Sequence, residues 1–315
     1  MHAVQFDAYG GSDVLALRKI PPPQPADGDV VVDVHAASLN PVDWKLRSGL
    51  LAGAIPLTFP ATTGRDGAGI VSAIGGGVDP QLCGRRVAFF APRGHGTWSE
   101  QIALPASNVA PVPDAVSLAE AAALPLAGTS AWIPLIDIAK VSSGMRVLVH
   151  AGAGGVGSLA IQIARARGAE VFATCSQRNA EFVTSLGAGA VAYDLAPFET
   201  QIRDIDVVLD TLGGDVHRRS YAVLKPGGLM VCLSAEPFED RGAVHGVTVK
   251  TAPILPKREI LEDLLAMAAT GKLRVIIERT LPLTEFRQAH ELSQSGHVRG
   301  KIVMSIRNSD GTPVA

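Results

Sequence analysis

Arg146-Val-Leu-Val-His-Ala-Gly-Ala-Gly-Gly-Val-Gly157 runs directly into Ser158-Leu-Ala-Ile-Gln-Ile-Ala-Arg165. β-Branched residues come first, glycines follow, and apolar residues then recur with a helical period, so the stretch reads as strand, tight turn, helix. Gly152, Gly154 and Gly157 satisfy G-x-G-x-x-G. In that pattern the first glycine turns the chain, the second lets backbone approach a pyrophosphate, and the third packs helix against strand. The helix start then faces an anion. Gly152, Ala153, Gly154, Gly155, Val156 and Gly157 are therefore candidate dinucleotide-binding residues. In a chain with 33 glycines the motif alone is a weak signal, and its force comes from the strand before it and the helix after it.

Downstream of this stretch the same alternation continues. Strands are expected at Glu170 to Thr174, Ala190 to Tyr193, Asp206 to Thr211 and Leu229 to Leu233, after the first at Val147 to His150. Helices are expected at Ser158 to Arg167, Asn179 to Leu186 and Val216 to Leu224, the first two closed by Gly168 and Gly187. Such alternation predicts an α/β fold with a doubly wound parallel sheet. Upstream, short β-rich runs such as Val30 to Val34, Gly69 to Ile74 and Arg86 to Phe90 predict a compact β-rich domain. Ser117-Leu-Ala-Glu120 has the form of a capping box and marks the change of character. Beyond a poorly patterned segment, Ala235 to Thr251, a helix from Lys257 to Thr270 ends at Gly271. The β-like runs Val275 to Ile277 and Lys301 to Ser305 then flank a helix near Glu285 to Leu292. These last elements are expected to return to the first domain, giving residues 1–117 as one domain, 118–270 as the nucleotide domain and 271–315 as the return.

Of the 315 residues, 47% are hydrophobic and 18% charged, enough for a substantial core. The formal net charge is −2, and no cluster of Lys and Arg with interleaved aromatics is present, which argues against nucleic acid and against an anionic membrane surface. The apolar run from Val147 to Ala164 approaches a membrane span in length but carries the glycine turn, Ser158 and Gln162. The start, Met1 to Asp7, lacks a basic segment followed by an apolar one, so no secretory signal is read and a cytoplasmic protein is expected. Cys83, Cys175 and Cys232 form no C-x-x-C pair, and each is expected to be a small buried residue without chemistry. His217, His245, His290 and His297 have no partner at metal-ligand spacing and receive no role. His150 is read as the end of a buried strand.

Several ordered motifs resemble the zinc-independent quinone oxidoreductases and enone reductases of the medium-chain dehydrogenase/reductase superfamily. They are Ala37-Ser-Leu-Asn-Pro-Val-Asp-Trp-Lys-Leu-Arg-Ser-Gly49, Gly64-Arg-Asp-Gly-Ala-Gly-Ile-Val71, Ala123-Leu-Pro-Leu-Ala-Gly-Thr-Ser-Ala-Trp132, Ala151 to Gly157, Asp206-Val-Val-Leu-Asp-Thr-Leu-Gly-Gly214, Leu224 to Gly228 and Gly300-Lys-Ile-Val303. The resemblance covers nearly the whole chain. It implies a discontinuous GroES-like substrate domain, a Rossmann dinucleotide domain and a cleft between them. The zinc alcohol dehydrogenases of the same superfamily have a cysteine ligand in the segment resembling Leu39 to Leu46, and Gly-His-Glu where this chain reads Gly64-Arg65-Asp66. Asn40 to Trp44 contains no cysteine and arginine does not ligate metal, so no catalytic metal is expected there. Without a Lewis acid, hydride delivery to an already electrophilic small molecule, a quinone or an α,β-unsaturated carbonyl, is the expected chemistry.

Ala173-Thr-Cys-Ser-Gln-Arg-Asn179, about where an NAD-binding acid belongs, contains no Asp or Glu. Ser176 and Arg178 can instead donate to a 2′-phosphate, so NADPH is the expected cofactor. The resemblance adds Tyr193 to that phosphate site. It also suggests Asn40 for the nicotinamide ribose or a substrate carbonyl, and Thr129 for the nicotinamide. Lys45 can stabilise enolate charge or donate a proton, and Asp43 can orient it; an exposed surface pair is the alternative. Two other functions stay open: a nucleotide-binding interaction module with little catalysis, and an enoyl-thioester reductase, for which Arg218-Arg219 hints at a basic entrance. Related proteins are commonly homodimers through the sheet edge, which Val247 to Ile254 would form here.

Overall fold

The structure is a computed structural model that describes residues 1–233, 238–308 and 311–314. Contacts divide it into two compact units. The first comprises residues 1–126, 255–271 and 275–315, and the second comprises 127–254 and 272–274. Both seams differ from the expected 117/118 and 270/271. The helix Leu118–Ala123 buries its alanines against the strands Asp29–Leu39 and Asp66–Ile74, and the helix Arg258–Ala269 packs on Val109–Pro111, so both helices join the first unit.

The second unit holds a six-stranded sheet in the order Gly189–Ala192, Glu170–Cys175, Arg146–Val149, Ile205–Asp210, Leu224–Cys232, Thr248–Thr251. All five pairings are parallel. This is the 3-2-1-4-5-6 order of the Rossmann fold, whose ligands lie beyond the carboxyl ends of the strands where the order reverses. Val147, Leu148 and Val149 are fully buried, as a central strand covered on both faces requires. The helix Gly155–Ala166 starts inside the glycine turn, three residues before Ser158, and buries Leu159, Ala160, Ile161, Ile163 and Ala164. The helix expected over Val216 to Leu224 is instead Gly214–Ser220, followed by the tight turn Tyr221–Val223, because Leu224 already pairs with Ile205 as a strand residue.

In the first unit, Asp29–Leu39 pairs antiparallel with Asp66–Ile74, Gln101–Pro105 and Lys301–Ser305. Ile277–Pro282 lies parallel beyond the last of these. A small antiparallel sheet of Ala16–Lys19, His2–Phe6 and Ala61–Thr62 completes the unit. Its core includes Val32, Val34, Phe89, Trp98, Leu104, Met304 and Ile306. Strand register brings three polar residues together. Ala37 faces Gly67 and Leu39 faces Ile302, so the end of one strand and the starts of two others meet at Asn40, Asp66 and Lys301. Of the poorly patterned segment, 235–237 lie outside the described residues. No helix among the described residues is long and apolar enough to cross a membrane.

Candidate active site

Asn40 follows the strand Asp29–Leu39 and precedes the short helix Pro41–Arg47. Its backbone N–H donates to the Asp43 carboxylate at 2.7 Å, which ends the strand and starts the helix with one contact. The Asn40 side chain is thereby left for the interior. Its Nδ2 donates to Asp66 Oδ1 at 2.8 Å and to Ser38 Oγ at 3.3 Å, while its Oδ1 accepts from the Lys301 ammonium. Lys301 Nζ also donates to Leu39 O at 2.9 Å. Asp66 accepts from Ser38 Oγ at 2.6 Å and from the Leu126 N–H at 2.9 Å. An amide thus sits between a cation and an anion, with its oxygen toward the first and its nitrogen toward the second. Asn40, Asp66 and Lys301 are 4%, 0% and 5% exposed, so every one of these bonds works in a low dielectric. Burial holds the Lys301 ammonium below its usual range, partly offset by the Asp66 and Asp43 carboxylates.

Asp43 is buried and its carboxyl is pushed up to about 7, chiefly by desolvation. The hydrogen bond from Asn40 opposes that shift, Asp66 adds to it, and Lys301 and Arg65 oppose it. Its described contacts point inward, to the Asn40 N–H and the interior charges. Lys45 lies partly exposed with its ammonium 5.8 Å from the Trp44 ring centroid. The structure brings Asn40 and Asp43 together and adds Ser38, Asp66 and Lys301, to which the sequence alone assigns no role. Lys301 is visible there only as part of the Gly300-Lys-Ile-Val303 motif, with no role attached. Asp43 also lines a cavity of about 400 Å³ within the first unit, with Arg65 and Arg93 on its wall.

In the second unit the turn differs in detail from expectation. Ala151, at φ +52°, takes the left-handed conformation rather than Gly152. Gly152 is required for space, because a Cβ there would lie 2.5 Å from the Ala173 Cβ. One on Gly157 would lie 2.2 Å from the Ala151 carbonyl oxygen, so helix and turn are in backbone contact. By contrast, a Cβ on Gly154 meets only the Ala151 oxygen, at 3.3 Å, which leaves this face of the turn open beside the first helical N–H groups. The cradle fits a pyrophosphate. Below it, the Ala151 and Gly152 N–H groups donate to Thr174 Oγ1 and O at 3.1 and 2.8 Å, and Thr211 Oγ1 donates to His150 O at 3.0 Å. The buried His150 ring bridges Thr174 Oγ1 at 3.1 Å and Ser220 Oγ at 2.8 Å. Desolvation lowers its pKa to about 4, so it stays neutral.

Ser176 and Arg178 follow the strand Glu170–Cys175, and Tyr193 follows its neighbour Gly189–Ala192, paired Cys175 to Ala192. All three therefore cluster at the carboxyl edge, with Arg178 and Tyr193 exposed. Asp194, which carries no signal in the sequence, accepts from the Gln177 N–H at 2.8 Å. Thr129 is buried in the helix Pro125–Trp132. Two readings of the sequence need correction, His217 as partnerless and Cys83 as buried. His217 is buried with Nδ1 2.9 Å from Asp210 Oδ2 and 3.5 Å from Cys232 Sγ, and Nε2 3.0 Å from the Tyr221 hydroxyl. The potential ligand atoms of Asp210, His217 and Cys232 lie within 4.8 Å of one another. The other Asp210 oxygen accepts from the Leu212 and Gly213 N–H groups, and burial pushes the Cys232 thiol up to about 12, so the trio is an internally satisfied network holding the loop after Asp210. Cys83 is exposed rather than buried. At the positions of the alcohol dehydrogenase metal ligands, Asn40 and Asp66 spend their polar atoms on each other and on Lys301, and Arg65 is a cation, so the donor set does not fit a metal.

Two family profiles match the chain: "Alcohol dehydrogenase GroES-like domain" over residues 26–114 and "Zinc-binding dehydrogenase" over residues 186–304. The chloroplast envelope quinone oxidoreductase homolog of Arabidopsis thaliana is 33% identical over 96% of this chain and 98% of that protein. The structure of the quinone oxidoreductase from Coxiella burnetii superposes with a TM-score of 0.90 at 34% identity, covering 98% of this chain and 99% of that one. The Escherichia coli quinone oxidoreductase complexed with NADPH gives a TM-score of 0.89 at 28% identity, covering 97% and 100%. With these likenesses spanning both units, the chain belongs to the quinone oxidoreductase-like branch of the medium-chain dehydrogenase/reductase superfamily.

Proposed function

We propose that this protein is an NADPH-dependent oxidoreductase that reduces quinones or α,β-unsaturated carbonyls without a catalytic metal. The observation that carries the reading is the Asp66–Asn40–Lys301 node, which stands where alcohol dehydrogenases hold metal ligands, in a chain that keeps the open glycine cradle. The Gly152 to Gly157 turn would hold the pyrophosphate, and Ser176, Arg178 and Tyr193 the 2′-phosphate. Bound there, reduced nicotinamide supplies a hydride to an electrophilic carbon. The chain's own residues do the rest. Asn40, locked by Lys301 and Asp66, presents a fixed amide for positioning, and Thr129 serves the nicotinamide side. As hydride adds, an electron pair moves onto the conjugated oxygen, and one proton completes the reduction. Lys45 or solvent is the source of that proton, and Asp43, which lines the cavity and whose raised carboxyl is part protonated near pH 7, is a further candidate.

An enoyl thioester is less favoured, because Arg218 pairs with Asp215 and Arg219 with Glu199 and Asp215, leaving no unpaired basic entrance in that pair. We also propose a cytoplasmic homodimer that pairs through Thr248–Thr251, the edge strand of the parallel sheet. The test is NADPH oxidation with 9,10-phenanthrenequinone, an alkenal and crotonyl-CoA. Turnover of the first or second is expected, and no turnover of any would favour a binding module. Arg178→Ala is expected to raise the KM for NADPH about tenfold, the loss of one charge-assisted contact, while NADH is little affected. A preference for NADH that persists in this variant overturns the cofactor assignment.

A further inference from the structure

The cavity beside Asp43 is walled by apolar side chains, among them Phe6, Leu46, Ile55 and Leu57, and by two guanidiniums, Arg65 and Arg93. Its volume of about 400 Å³ falls in the range of small-molecule pockets. Arg65 donates through Nη2 to Ala91 O at 3.3 Å and packs its guanidinium 5.4 Å from the Phe90 ring centroid, but its buried Nε has no hydrogen-bond partner among the described residues. Burial is the main influence disfavouring the Arg65 charge; the Asp43 and Asp66 carboxylates favour it, and Arg93, exposed on the turn that follows the strand Arg86–Phe90, opposes it. The one carboxyl on the described cavity wall is Asp43, which carries at most part of a negative charge near neutrality. The cavity therefore gathers more positive than negative charge against an apolar wall. The two guanidiniums repel each other, Asp43 offsets only part of that charge, and a further anion would balance the rest.

We propose that Arg65 and Arg93 form an anion-recognition subsite, and that the acceptor reduced by this protein is a flat, largely apolar molecule bearing a carboxylate or sulfonate. The apolar wall takes the ring or chain, and the guanidiniums take the anion through charge-assisted hydrogen bonds. The same Arg65 that is useless as a metal ligand thus acquires a use. This inference rests on the reductase reading for the word acceptor, but the subsite itself can be measured without turnover.

The test compares 1,4-naphthoquinone-2-sulfonate with uncharged 1,4-naphthoquinone as acceptors for the intact protein and for Arg93→Gln, an exposed position that does not threaten folding. At low ionic strength the ratio of kcat/KM for the sulfonate to that for the neutral quinone is expected to fall about tenfold in the variant. A ratio unchanged by the substitution overturns the subsite. In parallel, naphthalene-2-sulfonate, which cannot be reduced by hydride transfer, is titrated against intrinsic tryptophan fluorescence. Its affinity is expected to drop about tenfold in Arg93→Gln and to fall with added salt; affinity indifferent to both overturns the subsite. If neither quinone is reduced but the sulfonate binds in this Arg93-dependent way, the reductase reading fails and the subsite stands.

Discussion

Asn40 shows how a residue type acquires a role from its surroundings. An asparagine before a proline at a helix start is ordinarily a cap, with its side chain turned to the helix. Here Asp43 takes the capping contact from the other direction, and the freed amide is fixed between Lys301 and Asp66. The sequence points to Asn40 and Asp43 because they lie in one short motif. It does not point to Lys301, which is 261 positions away and reaches Asn40 only through strand register. The node also makes a stability prediction. Lys301→Met removes the cation from a buried cation–anion arrangement and leaves Asp66 with hydrogen bonds but without its compensating charge. A loss of about 3–5 kcal/mol is expected in urea unfolding, well above a surface lysine change. A loss under about 1 kcal/mol would mean that the ammonium is solvated and that Asn40 is not locked.

Among the elements, the glycine turn divides two tasks among three glycines. Gly152 and Gly157 are demanded by packing, since a Cβ on either would run into Ala173 or the Ala151 carbonyl. Gly154 is not demanded by packing, and on the proposed function its place is to leave room for the pyrophosphate. Gly157→Ala is accordingly expected to lower thermal stability by several degrees, because neither backbone segment can retreat without shifting the helix. Gly154→Ala should fold nearly as well yet lose NADPH affinity about tenfold or more in a fluorescence titration. Equal effects of both substitutions on stability, with binding untouched, would remove the turn from the cofactor site. The pattern of glycines is legible in the sequence, but their division of labour is not. Periodicity locates a turn, and only the neighbouring strand, with Ala173 at its centre, shows which glycine has no room. The helix expected over Val216 to Leu224 fails for a related reason: apolar residues at a helical period also suit a tight turn followed by a buried strand.

Across the full chain, the alternation of strands and helices is enough to read a doubly wound parallel sheet, while its strand order and the seams between the units come from the structure. Leu118–Ala123 is almost uniformly small and apolar and Arg258–Ala269 is amphipathic, and nothing in either pattern says which sheet it will cover. The fold also buries titratable groups whose linkage has a definite sign. Burial lowers His150 to about 4 and His290 to about 3, so from the ordinary histidine pKa of about 6.5 downward the unfolded chain binds protons that the folded chain refuses. Stability from these two groups is full above about pH 6.5 and is lost as the pH falls toward those values. Asp43 has the opposite sign, since its folded value of about 7 lies above its unfolded one and its contribution is lost as the pH rises through that range. His290→Gln is therefore predicted to flatten the fall in stability between about pH 6 and pH 4 by roughly one proton, about 1.4 kcal/mol per pH unit, measured from urea midpoints. An unchanged slope would show that His290 is protonated in the folded state.

Metal-free hydride transfer from NADPH to an electrophilic acceptor can be probed in a single experiment. The purified protein is dialysed against a chelator, its metal content is determined by mass spectrometry, and kcat/KM for 1,4-naphthoquinone is read from NADPH absorbance before and after treatment. Metal-free chemistry requires less than about a tenth of an equivalent of bound metal, within the ordinary margin of such an assay, and an unchanged kcat/KM. Loss of turnover on chelation, restored by stoichiometric zinc, would show that a metal is needed after all.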